Sequence, residues 1–166
     1  MQTIDEIVMR APAALCFQFG ADVERWPEWL PHYRWVRFRR KDAVGTGLVE
    51  MAARRGFGPL PWPVWWMSEM TVDPSLPVVR YRHVEGITTG MDVEWSFTPQ
   101  PDGTTRVRIV HDWPEGPHWP IPGPAKRAVA AGVIGPVFIH HVAALTLAGI
   151  GRAVEAATTH SAAAAG

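Results

Sequence analysis

The stretch MDVEWSFTPQPDGTTRVRIV, residues 91–110, decides the fold class of this chain of 166 residues. Apolar and polar residues alternate from Met91 to Phe97, and a second alternating run follows Pro101-Asp102-Gly103, a tripeptide typical of tight turns. Alternation with a period of two indicates a strand with one buried face. The stretch therefore predicts an antiparallel hairpin whose strands are residues 91–99 and 104–113.

Further extended runs lie between the hairpin and the N-terminus. Turn sequences rich in Gly and Pro, such as AVGTG, DPSLP and GITTG, separate these runs from one another. An extended run at residues 3–10 opens the chain, and two short helices, residues 12–20 and 23–30, are predicted after it. The remaining predicted strands are residues 33–41, 46–55, 60–72 and 77–86.

After the hairpin, one long helix is predicted from about Ala125 to about Ala157, with a kink or break at Pro136. Consecutive strands with short links predict an antiparallel meander, and a single long apolar helix covers its concave face. The predicted fold class is therefore α+β, a curved antiparallel sheet of about seven strands around the C-terminal helix. Residues 1–158 are predicted to form one domain and residues 159–166 a flexible tail.

The composition excludes several classes of partner. Sixteen Lys and Arg balance sixteen Asp and Glu, which argues against a nucleic-acid partner. Cys16 is the only cysteine, so no internal disulfide forms, and the N-terminus lacks the pattern of a secretory signal. Residues 128–151 are long enough to span a bilayer, but His140 and His141 fall mid-span and favour a buried helix instead. We therefore expect a cytoplasmic protein without a membrane span.

The predicted strands direct several aromatic side chains to one face of the sheet. In residues 91–97 that face is apolar, and in residues 60–72 it is apolar except for Ser68. In residues 80–85 the opposite face holds Arg80 and Arg82. Bulky rings between a curved sheet and one helix predict an aromatic-walled cavity for a hydrophobic small molecule. The alternative is that the rings interdigitate as ordinary core. The inward set is Trp66, Met70, Tyr81, His83, Trp95 and Trp113.

Two segments carry a resemblance to a known family. The segments APAALCFQFGADVERWPEWLPHYRWV (residues 11–36) and WSFTPQPDGTTRVRIVHDW (residues 95–113), with the long closing helix, resemble in order the START-like SRPBCC superfamily. More narrowly, they resemble its polyketide cyclase/dehydratase branch. The resemblance implies a helix-grip fold with a deep apolar cavity. In aromatase/cyclase members of that branch, the cavity folds a reactive poly-β-ketone chain, and polar side chains promote aldol cyclisation and dehydration.

The resemblance also implies candidate catalytic residues. The aromatase/cyclases carry a Ser and, two residues on, an Arg on the strand matching residues 60–72. Here Ser68 matches, but Met70 holds the Arg position and cannot donate a hydrogen bond. His83 on the next strand is a substitute donor or acid, Tyr33 in LPHY matches a cavity Tyr, and His111 in HDW matches a His near the cavity end. The candidate catalytic residues are His83, His111, Ser68 and Tyr33.

The long helix supplies further candidates. His141 has helical spacing from Ile134, Phe138 and Leu145, which predicts that it faces the cavity while His140 faces away. A kink at Pro136 would exchange the two histidines. The candidate substrate-binding residues are Trp66, Met70, Tyr81, Trp95, Trp113, Phe138 and His141.

No metal or cofactor is predicted. The adjacent His140 and His141, together with His83 and His111, raise the idea of zinc, but the sequence contains no HExxH or CxxC spacing. Glycine-rich phosphate loops and a G-x-S-x-G nucleophile motif are also missing from the sequence.

Two functions remain open at this stage. The first is an enzyme of the polyketide cyclase/dehydratase type that acts on an aromatic or polyketide-derived substrate by acid/base chemistry. The second is a non-catalytic carrier or sensor of a lipid or another hydrophobic small molecule. Met70 in place of Arg favours the carrier, and the inward His and Tyr residues favour the enzyme. The sequence also leaves a homodimer open.

Overall fold

The computed structural model describes residues 1–57, 60–86, 88–116 and 139–164. Three helices and a 3₁₀ turn accompany the strands in these residues: α1 (Ala13–Ala21), the turn Val23–Arg25, α2 (Trp26–Trp29) and α3 (His140–Ala164). The strands are β1 (Gln2–Met9), β2 (Tyr33–Lys41), β3 (Gly47–Phe57), β4 (Leu60–Asp73), β5 (Val78–Gly86), β6 (Asp92–Pro99) and β7 (Thr105–Asp112).

The seven strands of the described residues form one open, curved antiparallel sheet in the order β1-β7-β6-β5-β4-β3-β2. Neighbours in the sheet are also neighbours in sequence, except that β1 pairs with β7 from Gln2↔Asp112 to Met9↔Thr105. The segment α1–α2 carries the chain from one edge strand, β1, to the other, β2. The predicted α+β helix-grip architecture is confirmed.

The hairpin predicted from MDVEWSFTPQPDGTTRVRIV is present with little change in its bounds. Strands β6 and β7 pair from Asp92↔Asp112 to Pro99↔Thr105. The turn closes with a hydrogen bond from Gln100 N to Thr104 O, 2.8 Å, and Gly103 takes a φ of +81°. Glycine adopts that backbone conformation at low cost, which explains why this residue follows Pro101-Asp102.

Helix α3 packs against β1 and α1 with a different phase from the predicted one. Its buried residues recur with helical spacing along one face. His141 and Leu145 lie on the opposite, exposed face, which corrects the expectation that His141 faces inward. Ile134, Pro136 and Phe138, on which the expected phase depended, lie outside the described residues. The buried face of α3 and the residue before it comprises Ile139, Ala143, Thr146, Leu147, Ile150 and Val154.

The C-terminal bound of α3 also differs from the prediction. The helix continues to Ala164 instead of ending near Ala157, so residues 159–164 of the predicted tail are helical. The hydroxyls of Thr158 and Thr159 donate to the carbonyls of Val154 and Glu155, one turn earlier. Alanine has the highest helix propensity, which favours this continuation through the Ala-rich end. Within the described residues, no helix is both long and apolar enough to cross a bilayer.

A tight contact between β4 and β5 fixes the register of the two central strands. The pairing shifts at a bulge between Met67 and Ser68, next to the pair Trp66↔Gly86. Gly86 has a φ of +96°, and a Cβ atom there would lie 2.7 Å from Trp66 Cα. Only glycine fits this position without moving backbone atoms of β4.

We expect Gly86→Ala to destabilise the protein by roughly 3 kcal/mol, since backbone strain adds to overpacking. Gly103→Ala is the matched control because it has the same sign of φ, at +81°, but no described heavy atom within 4 Å of the added Cβ. Strain alone predicts a cost of roughly 1 to 2 kcal/mol for the control. Urea unfolding of both variants measures the difference, and equal costs would contradict the role given to the Trp66 contact.

Candidate functional site

A cavity of about 70 Å³ lies between the inner face of the sheet and α3. Aromatic and aliphatic side chains form most of its wall, including Trp26, Trp66, Trp95, Ile109 and Ile139. The cavity predicted from the alternation of the strands is therefore present, and the inward rings do not fill the space completely. The polar members of the wall are Tyr33, Tyr81, His83, Thr88, His111 and Thr146.

The volume limits what the cavity holds without a change in its wall. A water molecule needs on the order of 10–15 Å³ measured in this way, so about 70 Å³ accommodates a few waters. A cavity that binds benzene measures about 150 Å³. A ligand as large as one aromatic ring therefore requires the wall side chains to shift.

His83 reaches the cavity from β5. Its Nδ1 atom is hydrogen-bonded to Thr88 Oγ1 at 2.5 Å, and its ring stacks on Trp66 with centroids 6.0 Å apart. Thr88 belongs to the turn between β5 and β6, where His83 N donates to Met91 O and Gly90 N donates to His83 O. The turn thus folds back onto the strand and fixes the orientation of the imidazole.

His111 reaches the cavity from β7. It is half-buried, and its Nδ1 atom is 3.3 Å from Thr3 Oγ1 on the edge strand β1. In the sheet, Thr3 and Val93 flank His111 on the two neighbouring strands. Each of the two inward histidines is therefore hydrogen-bonded to a threonine of a different element.

Tyr33 stands at the start of β2 among other rings. It packs edge-on against Trp26 and Trp66, with centroid distances of 5.2 and 6.0 Å. Its neighbour His32 has Nε2 3.1 Å from Thr146 Oγ1 of α3. This contact joins the loop before β2 to the helix and closes one side of the cavity.

Tyr81 is the second phenol in the wall, and its environment is strongly apolar. Burial raises the pKa of the Tyr81 hydroxyl well above its usual value, and the proximity of Tyr33 raises the pKa further. The group therefore stays protonated at neutral pH and keeps an O–H that can donate a hydrogen bond.

Several predicted site residues lie outside the cavity lining. Ser68 is fully buried, directly across from His83 in the sheet, and Met70 is buried across from Tyr81. Trp113 donates a hydrogen bond from Nε1 to Thr89 O at 3.0 Å. This bond stabilises the turn between β5 and β6. Alternation predicted the correct face for these residues, but it carries no information on how far along a strand the cavity extends.

The two adjacent histidines of α3 also lie outside the cavity lining. His141 is exposed, and His140 has Nδ1 2.7 Å from Asp5 Oδ1 of β1. Phe138, the remaining predicted contact, is outside the described residues. Helix α3 instead contributes Val142, Ala143 and Thr146 to the wall.

Thr88 and Thr146 are the polar wall residues that the sequence analysis missed. Nothing in the sequence marks either residue as part of a cavity wall, since a threonine in a turn or in a helix is common.

The described residues contain no group of three or more His, Cys, Asp or Glu side chains arranged to hold a metal ion. The polar groups of the described wall are imidazole, phenol and hydroxyl groups.

We expect Thr88→Val to remove the hydrogen bond that orients the His83 imidazole, because valine matches the shape of threonine but lacks the hydroxyl. The ring ¹⁵N resonances of His83 should shift, and stability should fall by about 1 kcal/mol. Thr88→Ser keeps the hydroxyl and should retain the wild-type resonances. Nuclear magnetic resonance of ¹⁵N-histidine-labelled protein measures the effect, and unchanged His83 signals in Thr88→Val would contradict it.

Comparison with known proteins agrees with this architecture. Residues 9–137 match the family model described as polyketide cyclase / dehydrase and lipid transport. A Streptomyces cyaneus protein named "Putative polyketide cyclase" is 34% identical over 123 residues, which cover 72% of this chain and 76% of the relative.

Solved structures share the fold at low sequence identity. The Zhui aromatase/cyclase of Streptomyces sp. R1128 aligns with a TM-score of 0.69 at 19% identity, covering 93% of each chain. A START superfamily protein of Mycobacterium smegmatis aligns with a TM-score of 0.67 at 14% identity, covering 91% of this chain and 97% of that one. Sheet, closing helix and family match together show that the chain belongs to the START-like polyketide cyclase/dehydrase and lipid transport family.

Proposed function

We propose that this protein binds an aromatic or polyketide-derived hydrophobic substrate in the cavity and promotes its cyclisation or dehydration by acid/base catalysis. The observation that carries the proposal is that His83 and His111 line one apolar cavity from different strands. Unperturbed imidazole titrates near neutral pH and so serves as both base and acid. Membership of the polyketide cyclase/dehydrase family supports the same class of reaction.

The chemistry requires few groups. One imidazole removes a proton from the carbon next to a substrate carbonyl, and the enolate attacks a second carbonyl to close the ring. The second histidine, as imidazolium, protonates the alkoxide that this attack leaves. For dehydration, an imidazole removes the remaining proton of the same α-carbon, the C–H electron pair becomes the carbon–carbon double bond, and the hydroxyl leaves as water with a proton from an imidazolium. An apolar wall keeps bulk water away from the reactive carbonyls, and Tyr33 contributes a hydrogen bond from the wall. Ser68 is buried beside His83 outside the lining, and its catalytic role remains a prediction from the resemblance.

The second candidate function is a non-catalytic carrier or sensor of a lipid or another hydrophobic small molecule. Met70 favours it, because a thioether cannot replace the charge of an arginine. The family description also includes lipid transport. A cytoplasmic location and the lack of a nucleic-acid partner remain predictions from the sequence, which leaves the oligomeric state open.

We expect His83→Gln and His111→Gln to lower the turnover of a poly-β-ketone thioester by about 10²-fold or more. Glutamine keeps hydrogen-bonding capacity but does not titrate near neutral pH. His160→Gln on the exposed end of α3 is the matched control and should leave turnover unchanged. Product formation followed by mass spectrometry measures the effect. Loss of binding alone in the two cavity variants would favour the carrier instead.

We expect Ala143→Leu to abolish the binding of 4-fluoroacetophenone, a small aromatic ketone, because the added methyl groups occupy a cavity of about 70 Å³. The added volume costs about 1–3 kcal/mol of stability, so folding is checked by circular dichroism. Ala144→Leu is the control, since Ala144 is exposed on the next position of α3. Fluorine NMR titration measures binding, and equal affinities of the two variants would place the ligand outside this cavity.

A further inference from the structure

The hydroxyl of Tyr81 is a buried polar group of the cavity wall. The side chain is 5% exposed, and its oxygen has no hydrogen-bond partner among the described residues. Buried polar atoms without partners are rare in folded proteins, because each one costs on the order of 1–3 kcal/mol. A tyrosine retained at that cost calls for an explanation, since phenylalanine would fill the same space.

Tyr81 belongs to the cavity wall, and its neighbours in the sheet offer its hydroxyl no strong acceptor. In the sheet, Met70 of β4 and Val93 of β6 flank it, and neither side chain accepts a strong hydrogen bond. Tyr81 and Val93 both line the cavity. Tyr33 lines the same cavity and lies close enough to raise the pKa of Tyr81. Two phenols therefore meet in an apolar space, and the deeper one stays protonated.

We infer that the Tyr81 hydroxyl is an oxyanion donor, which holds a carbonyl oxygen of the bound substrate and stabilises the enolate that forms there. This inference rests on the proposed function, since it requires a ketone-bearing ligand in the cavity. In this inference, Tyr81 supplies the hydrogen-bond donor that Met70, at the position of the family's arginine, cannot supply.

Formation of the enolate requires no reactant beyond the substrate and a base in the cavity. A cavity base removes the proton from the α-carbon, and the C–H electron pair becomes the new carbon–carbon double bond. The carbonyl π pair moves to oxygen, and Tyr81 donates its hydrogen bond to that oxygen while keeping its proton. A neutral donor in a dry, apolar site is effective here, because the low dielectric strengthens the hydrogen bond as negative charge develops.

The test compares two probes of nearly the same shape. 4-Fluoroacetophenone carries a carbonyl oxygen, and 4-fluoro-α-methylstyrene replaces it with a methylene group. Tyr81→Phe removes only the hydroxyl, so we expect it to weaken ketone binding about three- to ten-fold in fluorine NMR titrations while the alkene affinity stays within about two-fold. Tyr81→Phe should unfold at the same urea concentration as wild type or a higher one, because an unpaired buried oxygen is lost.

Val93→Ala is the matched control variant. It enlarges the wall next to Tyr81 without removing a polar atom, and it should change the affinities of both probes by the same factor. Equal loss of the two probes in Tyr81→Phe, or a lowered unfolding midpoint, overturns the inference and leaves the proposed function standing. If the wild-type protein binds neither probe, the cavity takes no ligand of this class, and the inference and the proposed function both fail.

Discussion

The covering of one curved sheet face by a single helix is the constraint on which this structure depends. Helix α3 inserts residues such as Ala143, Thr146 and Ile150, while the sheet contributes tryptophans at Trp66 and Trp95. Large rigid rings opposite small helix side chains cannot interdigitate as closely as aliphatic residues do. The cavity of about 70 Å³ is the space that this mismatch leaves. The sheet hydrogen bonds fix the backbone behind Trp66 and Trp95, so a ligand as large as one aromatic ring must be admitted by shifts of the wall side chains.

Polar groups inside this interior follow a consistent arrangement. The His83–Thr88 and His32–Thr146 pairs each join a residue of the sheet or its preceding loop to a separate turn or helix. The hydroxyls of Ser68 and Tyr81 are different, because neither is paired with any of the described residues, and of these two side chains Tyr81 is the one that lines the cavity. Satisfied pairs orient the side chains that carry them, whereas an unsatisfied donor at a cavity wall is available to a ligand.

Charge is kept on the other face of the sheet. Glu50 is a buried carboxylate there, and Arg37, Arg39 and Trp65 Nε1 bind its two oxygens. The hydrogen bond from Arg37 is the main cause that lowers the pKa of Glu50, which keeps the carboxylate ionised. Among the described residues of the cavity wall, by contrast, none is Asp, Glu, Lys or Arg. The polar groups of the described wall are therefore hydroxyls, phenols and imidazoles rather than fixed charges.

The sequence by itself determined the order of the elements and the inward face of the four strands β4 to β7. Alternation with a period of two is a local property, and Gly103 and the Gly- and Pro-rich turns mark its interruptions, so the strand bounds required no tertiary information. The phase of α3 did require it. Helix α3 is rich in Ala, Val, Leu and Gly around its whole circumference, so its pattern did not distinguish the face of Ala143 from that of His141.

Only the tertiary structure decided which inward residues meet the cavity. Ser68 and Met70 share a strand face with Trp66, yet the rest of the core covers them, because the cavity extends along part of β4 only. Thr88 and Thr146 enter the wall from a turn and a helix distant in sequence. Such contacts arise from packing between elements, which no periodicity within one element encodes.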